Sequence, residues 1–113
     1  MPAAKGRISG ANKNFEGHWE VDGHSLVLSG SFHQSLGKWS ASPATLKYDN
    51  LDDLTGTYVI DDAFQPYIGG SDLILAFKNE SNRHIMVGGS LEDDHSGRID
   101  LTGQGVWEFS QSD

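Results

Sequence analysis

The densest groups of ligating side chains in this 113-residue sequence are two acidic stretches. "DNLDD" brings together Asp49, Asn50, Asp52 and Asp53, and "EDDH" brings together Glu92, Asp93, Asp94 and His95. Clustered loop carboxylates suit Ca2+, a hard cation that takes about six to eight oxygens. Neither stretch has EF-hand spacing, and turn carboxylates that bond their own backbone give the same composition, so no metal ligand is assigned. The five histidines are His18, His24, His33, His84 and His95, and no two stand at a zinc-binding spacing such as His-Glu-x-x-His. There is no cysteine, which removes disulfides, thiolate nucleophiles and cysteine-based zinc sites. Nucleophile elbows, P-loops and dinucleotide glycine motifs are also missing. These residues assemble no catalytic group and call for no cofactor, and a non-enzymatic protein is expected. A small barrel enzyme would need an inward acid or base, and His24 is the one candidate by strand parity.

The aromatic residues form the other constellation. Trp19, Trp39, Tyr58, Phe77 and Trp107 all share strand faces with aliphatic residues and should converge inside the fold. There they either fill a core or line a small-ligand site.

The elements that must position them follow from alternation. Phe15, Gly17, Trp19 and Val21 share one face, and Glu16, His18, Glu20 and Asp22 share the other. A period of two is what a half-buried strand requires. Leu26, Leu28, Gly30 and Phe32 repeat it after Asp22-Gly23, a hairpin signal. So do Leu54, Gly56, Tyr58 and Ile60, then Leu73, Leu75 and Phe77, and finally Ile99, Leu101, Gly103, Gly105, Trp107 and Phe109. Shorter strands are expected at "LGKWSA" and "TLKY", on either side of Pro43, and at "HIMVGGS". "YDNLDDL" has room for one helical turn capped by Asp49 or Asn50. The expectation is an all-β domain: an up-and-down antiparallel meander barrel of seven to eight strands, spanning residues 14–110, with a flexible tail at 1–13 and a short one at 111–113. Inward glycines at strand bends favour a closed barrel. A two-sheet sandwich is the alternative.

Bulk properties narrow the partners. Sixteen acidic residues against eight Lys and Arg give a net charge of −8, which repels phosphate backbones and argues against nucleic acid. No apolar run reaches spanning length, so no membrane role is expected. No apolar leader segment is visible, which favours a cytoplasmic over a secreted protein.

In strand order the chain resembles the avidin/streptavidin family of eight-stranded barrels. The resemblance rests on Gly17-His18-Trp19 at the first strand, "DGHSLVL" at the second, "LGKW" and "LTGTY" at the third and fourth, "LAFKN" at the fifth and "GRIDLTGQGVW" at the seventh. It implies a small-molecule-binding barrel and a dimer or tetramer that pairs through barrel faces. It also implies the ligand-contacting set Trp39, Trp107, Phe77, His24 and Tyr58. The polar groups that surround biotin in that family have no equivalents here. Val21 stands for the first-strand asparagine and His24 for the second-strand serine. Trp39 replaces a tyrosine and Phe77 a tryptophan. The resemblance therefore implies an apolar aromatic interior with weak biotin affinity or none.

A second pattern competes. Gly23, Leu26, Leu28, Leu54, Thr55, Gly56 and Val59 fall at a constant offset onto Gly70, Leu73, Leu75, Leu101, Thr102, Gly103 and Val106. That resembles the two-repeat, cyanovirin-type lectins and implies a sugar ligand. Val27, Val59, Ile74 and Val106 face outward by parity, and a homo-oligomer interface is expected if they fall together.

Overall fold

The first two strands are too long to be straight. The computed structural model describes residues 3–110, with only the backbone for residues 51, 93–96 and 110. In it β1 (Ala3–Val21) has 19 residues and β2 (His24–Lys47) has 24. At about 3.3 Å per residue β2 would reach nearly 80 Å, yet the longest dimension of the molecule is 38 Å. Both strands must bend, and their pairing shows where. Residues 25–32 of β2 pair with β6 (Gly103–Ser110), while residues 41–47 pair with β5 (His84–Asp100). The β1–β2 register slips between Gly6 and Ile8 and twice around Asn12, which sits at a left-handed φ of 58°. Such irregularities turn a strand.

The remaining strands are β3 (Gly56–Ile60) and β4 (Tyr67–Lys78), with 3-10 turns at Leu51–Leu54 and Asp62–Phe64. Every pairing is antiparallel, in the order β1-β2-β5-β4-β3-β6, and β6 returns to β2 to close the ring. The protein is thus an all-β antiparallel barrel. Five strands close it, and β1 lies along both arms of β2. Sequence neighbours pair at β1–β2, β3–β4 and β4–β5, whereas β2–β5 and β3–β6 join strands distant in sequence.

Three local expectations meet their outcome here. The Asp22-Gly23 turn has φ of 51° and 79° and joins Val21 to His24, the positive-φ hairpin that the dipeptide predicts. Residues 3–13, expected as a tail, are instead the first arm of β1, with Ala3 opposite Lys47 and Gly10 opposite Trp39. The arm carries one large apolar residue, Ile8, and its strand character comes from pairing with β2 rather than from its own pattern. "LGKWSA" and "TLKY" are not separate strands. β2 runs through Pro43, and the β2–β5 register shifts between Ala41 and Ala44, which absorbs the residue that cannot donate a ladder bond.

The Gly-x-Trp near the start explains how the first strand folds on itself. The indole of Trp19 lies across two glycines. A Cβ on Gly17 would stand 2.5 Å from its six-membered ring, and a Cβ on Gly6 would stand 2.5 Å from Cδ1 and 2.1 Å from the His18 carbonyl. Only glycine lets the two arms of β1 approach with a tryptophan between them. Trp19 Nε1 donates to the Ala44 carbonyl at 2.9 Å, which pins that indole to the second arm of β2.

Candidate functional site

The barrel interior holds a connected line of aromatic rings. Trp39 meets Phe32 at 6.1 Å between centroids, and Phe32 stacks on Phe15 at 4.4 Å. Phe15 reaches Phe77 at 6.4 Å, Phe77 stands edge-on to Trp107 at 5.6 Å, and Trp107 reaches Trp19 at 5.4 Å. Strand geometry builds this line. Gly105 on β6 leaves room for Leu28 of β2 and Phe77, since a Cβ there would stand 2.9 Å from the Leu28 Cδ1 and 3.5 Å from the Phe77 ring, and Phe77 enters from β4 opposite Ile60.

Of the ligand-contacting residues expected from sequence, Trp39, Phe77 and Trp107 lie on this line, with Tyr58 in the same core. Phe77, Tyr58 and Trp107 are buried, and Trp39 keeps 6% of its surface. The rings pack on one another, so their faces are already covered. Tyr58 spends its hydroxyl on the Asp53 carbonyl. Burial, then the Asp53 charge, raise its phenol above the ordinary value, with Arg83 acting the other way. His24 does not join them. It was expected to point inward but is exposed beside the β1–β2 turn, edge-on to Phe109 at 5.9 Å. A residue directly after a two-residue turn sits at the barrel rim, where parity no longer decides burial.

Two polar atoms in this interior are unmatched. Among the described residues, the indole Nε1 atoms of Trp39 and Trp107 are the buried side-chain nitrogens or oxygens with no hydrogen-bond partner. Leaving a buried donor unpaired costs about 1–3 kcal/mol. Trp19, the third tryptophan, is satisfied by Ala44.

A polar group that the sequence reading passed over lies at the β3–β4 seam. Asp61 is 3% exposed. Its Oδ1 accepts from the Ala63 N–H at 3.0 Å and faces Lys78 Nζ at 3.6 Å, and its Oδ2 faces His84 Nε2 at 3.2 Å. Phe64 covers the His84 ring edge-on at 5.4 Å. Burial alone would push this carboxyl up, but the Ala63 N–H, Lys78 and His84 together outweigh it and hold Asp61 below the usual carboxylate range. Close by, buried Asp53 faces Arg83 at 3.7 Å and accepts from the Asn50 N–H at 3.3 Å. An aspartate that orients a histidine can serve general-base chemistry. Here Asp61 is shared with a lysine and a backbone cap, and the two carboxylates together clamp the 3-10 turns around β3 to the β4–β5 hairpin. β3 pairs with β4 through only Val59–Lys78 and Ile60–Phe77, so the clamps support the shortest ladder of the ring.

Strand parity at Asp61 predicts an outward residue, which is why sequence reading missed it. The signal was an aspartate directly after a strand and two residues before the Ala63 N–H it caps. The "DNLDD" stretch contains the expected turn, Leu51–Leu54 with Asn50 at its cap, and its buried Asp53 serves the clamp. In "EDDH", Glu92 is exposed, and the side chains of Asp93, Asp94 and His95 lie outside the described residues. Compared with models of known protein families and with curated proteins, the chain matches none.

Proposed function

We propose that this chain is a non-enzymatic binding protein for a small, largely apolar ligand that carries hydrogen-bond acceptors, built on an avidin-like barrel plan. The supporting observation is the pair of unmatched indole N–H groups at Trp39 and Trp107 in an interior otherwise made of packed rings. An acceptor brought by a ligand would offset the cost of each buried donor. Because the interior is filled, ligand entry has to shift rings, and the expected affinity for biotin is weak or nil.

Thermal unfolding with biotin and a panel of small aromatic and heterocyclic acceptors tests this reading. A ligand at a hundred times its Kd adds about 2.7 kcal/mol to stability. A panel in which no compound raises the melting temperature refutes it.

The two-repeat lectin is a second reading, favoured by one observation. Leu54 and Leu101 are both buried, and each Leu-Thr-Gly leads into a short strand, β3 or β6, the two pairing side by side. Glycan-array binding without stabilisation by small aromatic compounds would favour it. For assembly, we propose a homo-oligomer through the outer face of β2, β6 and β3. Val59 and Val106 are 45% and 42% exposed there, and Val27 is diagonal to Val106. Ile74 lies away on β4, beside Met86. Light scattering that gives a monomer at micromolar concentration, unchanged by Val106→Lys, would refute this.

A further inference from the structure

The outer face of the sheet made by the first arm of β1, the second arm of β2, β5 and β4 has an opening in its middle. Thr45, Gly88 and Ile74 lie opposite one another across β2, β5 and β4, and Lys47 and Met86 form the next rung. With Val87 these residues line a groove of about 370 Å3. Ile74 and Met86 are half-buried on this outer side, whereas Leu73, Leu75 and Ile85 of the same strands are buried in the core.

Gly88 is what leaves the groove open. Its neighbour Gly89 is needed for packing, since a Cβ there would stand 2.9 Å from the Pro43 carbonyl oxygen. A Cβ on Gly88 would meet nothing beyond its chain neighbours closer than the Leu73 carbonyl oxygen, at 3.9 Å. Nor does Gly88 adopt a positive φ. Glycine inside a strand gives up packing, and it recurs where a ligand or another backbone comes close. Neither the backbone nor the interior asks for glycine at this position.

The rim is cationic. Lys47 lines the groove, Lys5 lies directly opposite Thr45 on β1, and Arg7 follows two residues on. All three are exposed and enter no ion pair with a described residue. Among the described residues no Asp or Glu lines the groove. Asp72, opposite Ser90, stands on the far side, on β4. This reverses the balance of the chain: residues 1–47 carry five Lys and Arg against three Asp and Glu, and residues 48–113 carry three against thirteen. An apolar opening beside unpaired cations is complementary to a segment that carries both an apolar side chain and carboxylates.

We propose that this face docks an acidic, extended peptide segment of another protein, with one aliphatic side chain of the segment over Gly88 and its carboxylates on Lys47, Lys5 and Arg7. The site lies outside the barrel and is independent of ligand binding in the interior. A second copy of the chain is a poorer occupant, because a two-fold contact through this face would set one cationic rim against the other.

The backbone amide resonances of Lys47, Met86 and Gly88 in 15N-labelled protein test it, titrated at low salt with a pentapeptide of four glutamates around a central leucine. All three should move. The same peptide with glutamines for glutamates, or with alanine for leucine, should bind at least about fivefold more weakly. Lys47→Gln and Lys5→Gln should each weaken the glutamate peptide about two- to fivefold, the size expected of one exposed charge pair. Gly88→Val fills the opening and should weaken it at least about tenfold, the worth of burying one aliphatic side chain, with a melting temperature unchanged or higher. Resonances that do not move, or equal binding of the glutamine or the alanine peptide, overturn the proposal. A Gly88→Val protein that binds the peptide as the native protein does, or that fails to fold, overturns it as well. So does a heparin oligosaccharide that moves the same resonances undiminished by Gly88→Val, which would assign the face to a polyanion, or a dimer in light scattering that Gly88→Val abolishes, which would assign it to a second copy.

Discussion

Replacing Asp61 with asparagine should destabilise the barrel by about 1–2 kcal/mol at neutral pH. The figure follows from what asparagine keeps and loses. Its Oδ1 still accepts from the Ala63 N–H, so the cap on the Asp62–Phe64 turn survives. The charge is lost, and an amide N–H2 replaces the oxygen that faced His84 at 3.2 Å. Removing one partner from a fully buried pair costs about 3–5 kcal/mol. Lys78 and His84 are 42% and 31% exposed, so they recover water and the penalty shrinks accordingly. Asp61→Ala also loses the cap and should cost about 2–4 kcal/mol. Urea unfolding followed by tryptophan fluorescence, at pH 7 and at pH 3, measures both. The carboxyl of Asp61 is held below its ordinary value, so folding favours its ionised form. That contribution is complete above the unfolded pKa, near 4, and is lost as pH falls through the lower folded value. The gap between native protein and Asp61→Asn must therefore close on acidification. A gap that stays constant from pH 7 to pH 2, or a variant within about 0.3 kcal/mol of the native protein at pH 7, would refute the clamp.

Three further outcomes follow from the core. Trp19→Phe should cost about 1 kcal/mol more than Trp107→Phe, because it gives up a made hydrogen bond to the Ala44 carbonyl whereas the other sheds an unmatched donor; equal or reversed costs in urea unfolding would remove the significance given to those donors. Gly17→Ala should cost about 1–3 kcal/mol through its contact with the Trp19 ring, and a neutral result would mean that the arms of β1 are not held as described. The phenols of Tyr48 and Tyr58 are both raised, chiefly by burial, so stability should hold below about pH 10 and decline as pH rises toward their folded values. Tyr58→Phe should flatten part of that decline, which alkaline unfolding curves would register.

Much of the interior was legible beforehand. Phe15, Trp19, Leu26, Leu28, Phe32, Tyr58, Leu73, Leu75, Phe77 and Trp107 are buried as their parity requires, because a strand with one wet face cannot slip by one residue without exposing its whole apolar set. Asp22-Gly23 marked its turn for a local reason, since few other dipeptides accept two positive φ values. Legibility failed where a residue's state depends on a distant strand. Lys5 and Ser9 belong to a strand because β2 supplies their ladder, opposite Thr45 and Ser40. His24 left the inward set because it follows the turn. Asp61 is buried because a hairpin more than fifteen residues later brings Lys78 and His84 to it.

The sequence by itself determined an all-β chain, the faces of its strands and the aromatic residues that meet inside, since alternation is a property of neighbouring residues. Tertiary structure alone decided the order in which the strands close and the bends that turn two long strands into four arms. It also decided that Trp19 is satisfied while Trp39 and Trp107 are not. Those outcomes depend on which backbone carbonyl arrives opposite each indole, and that is set by pairing between segments tens of residues apart.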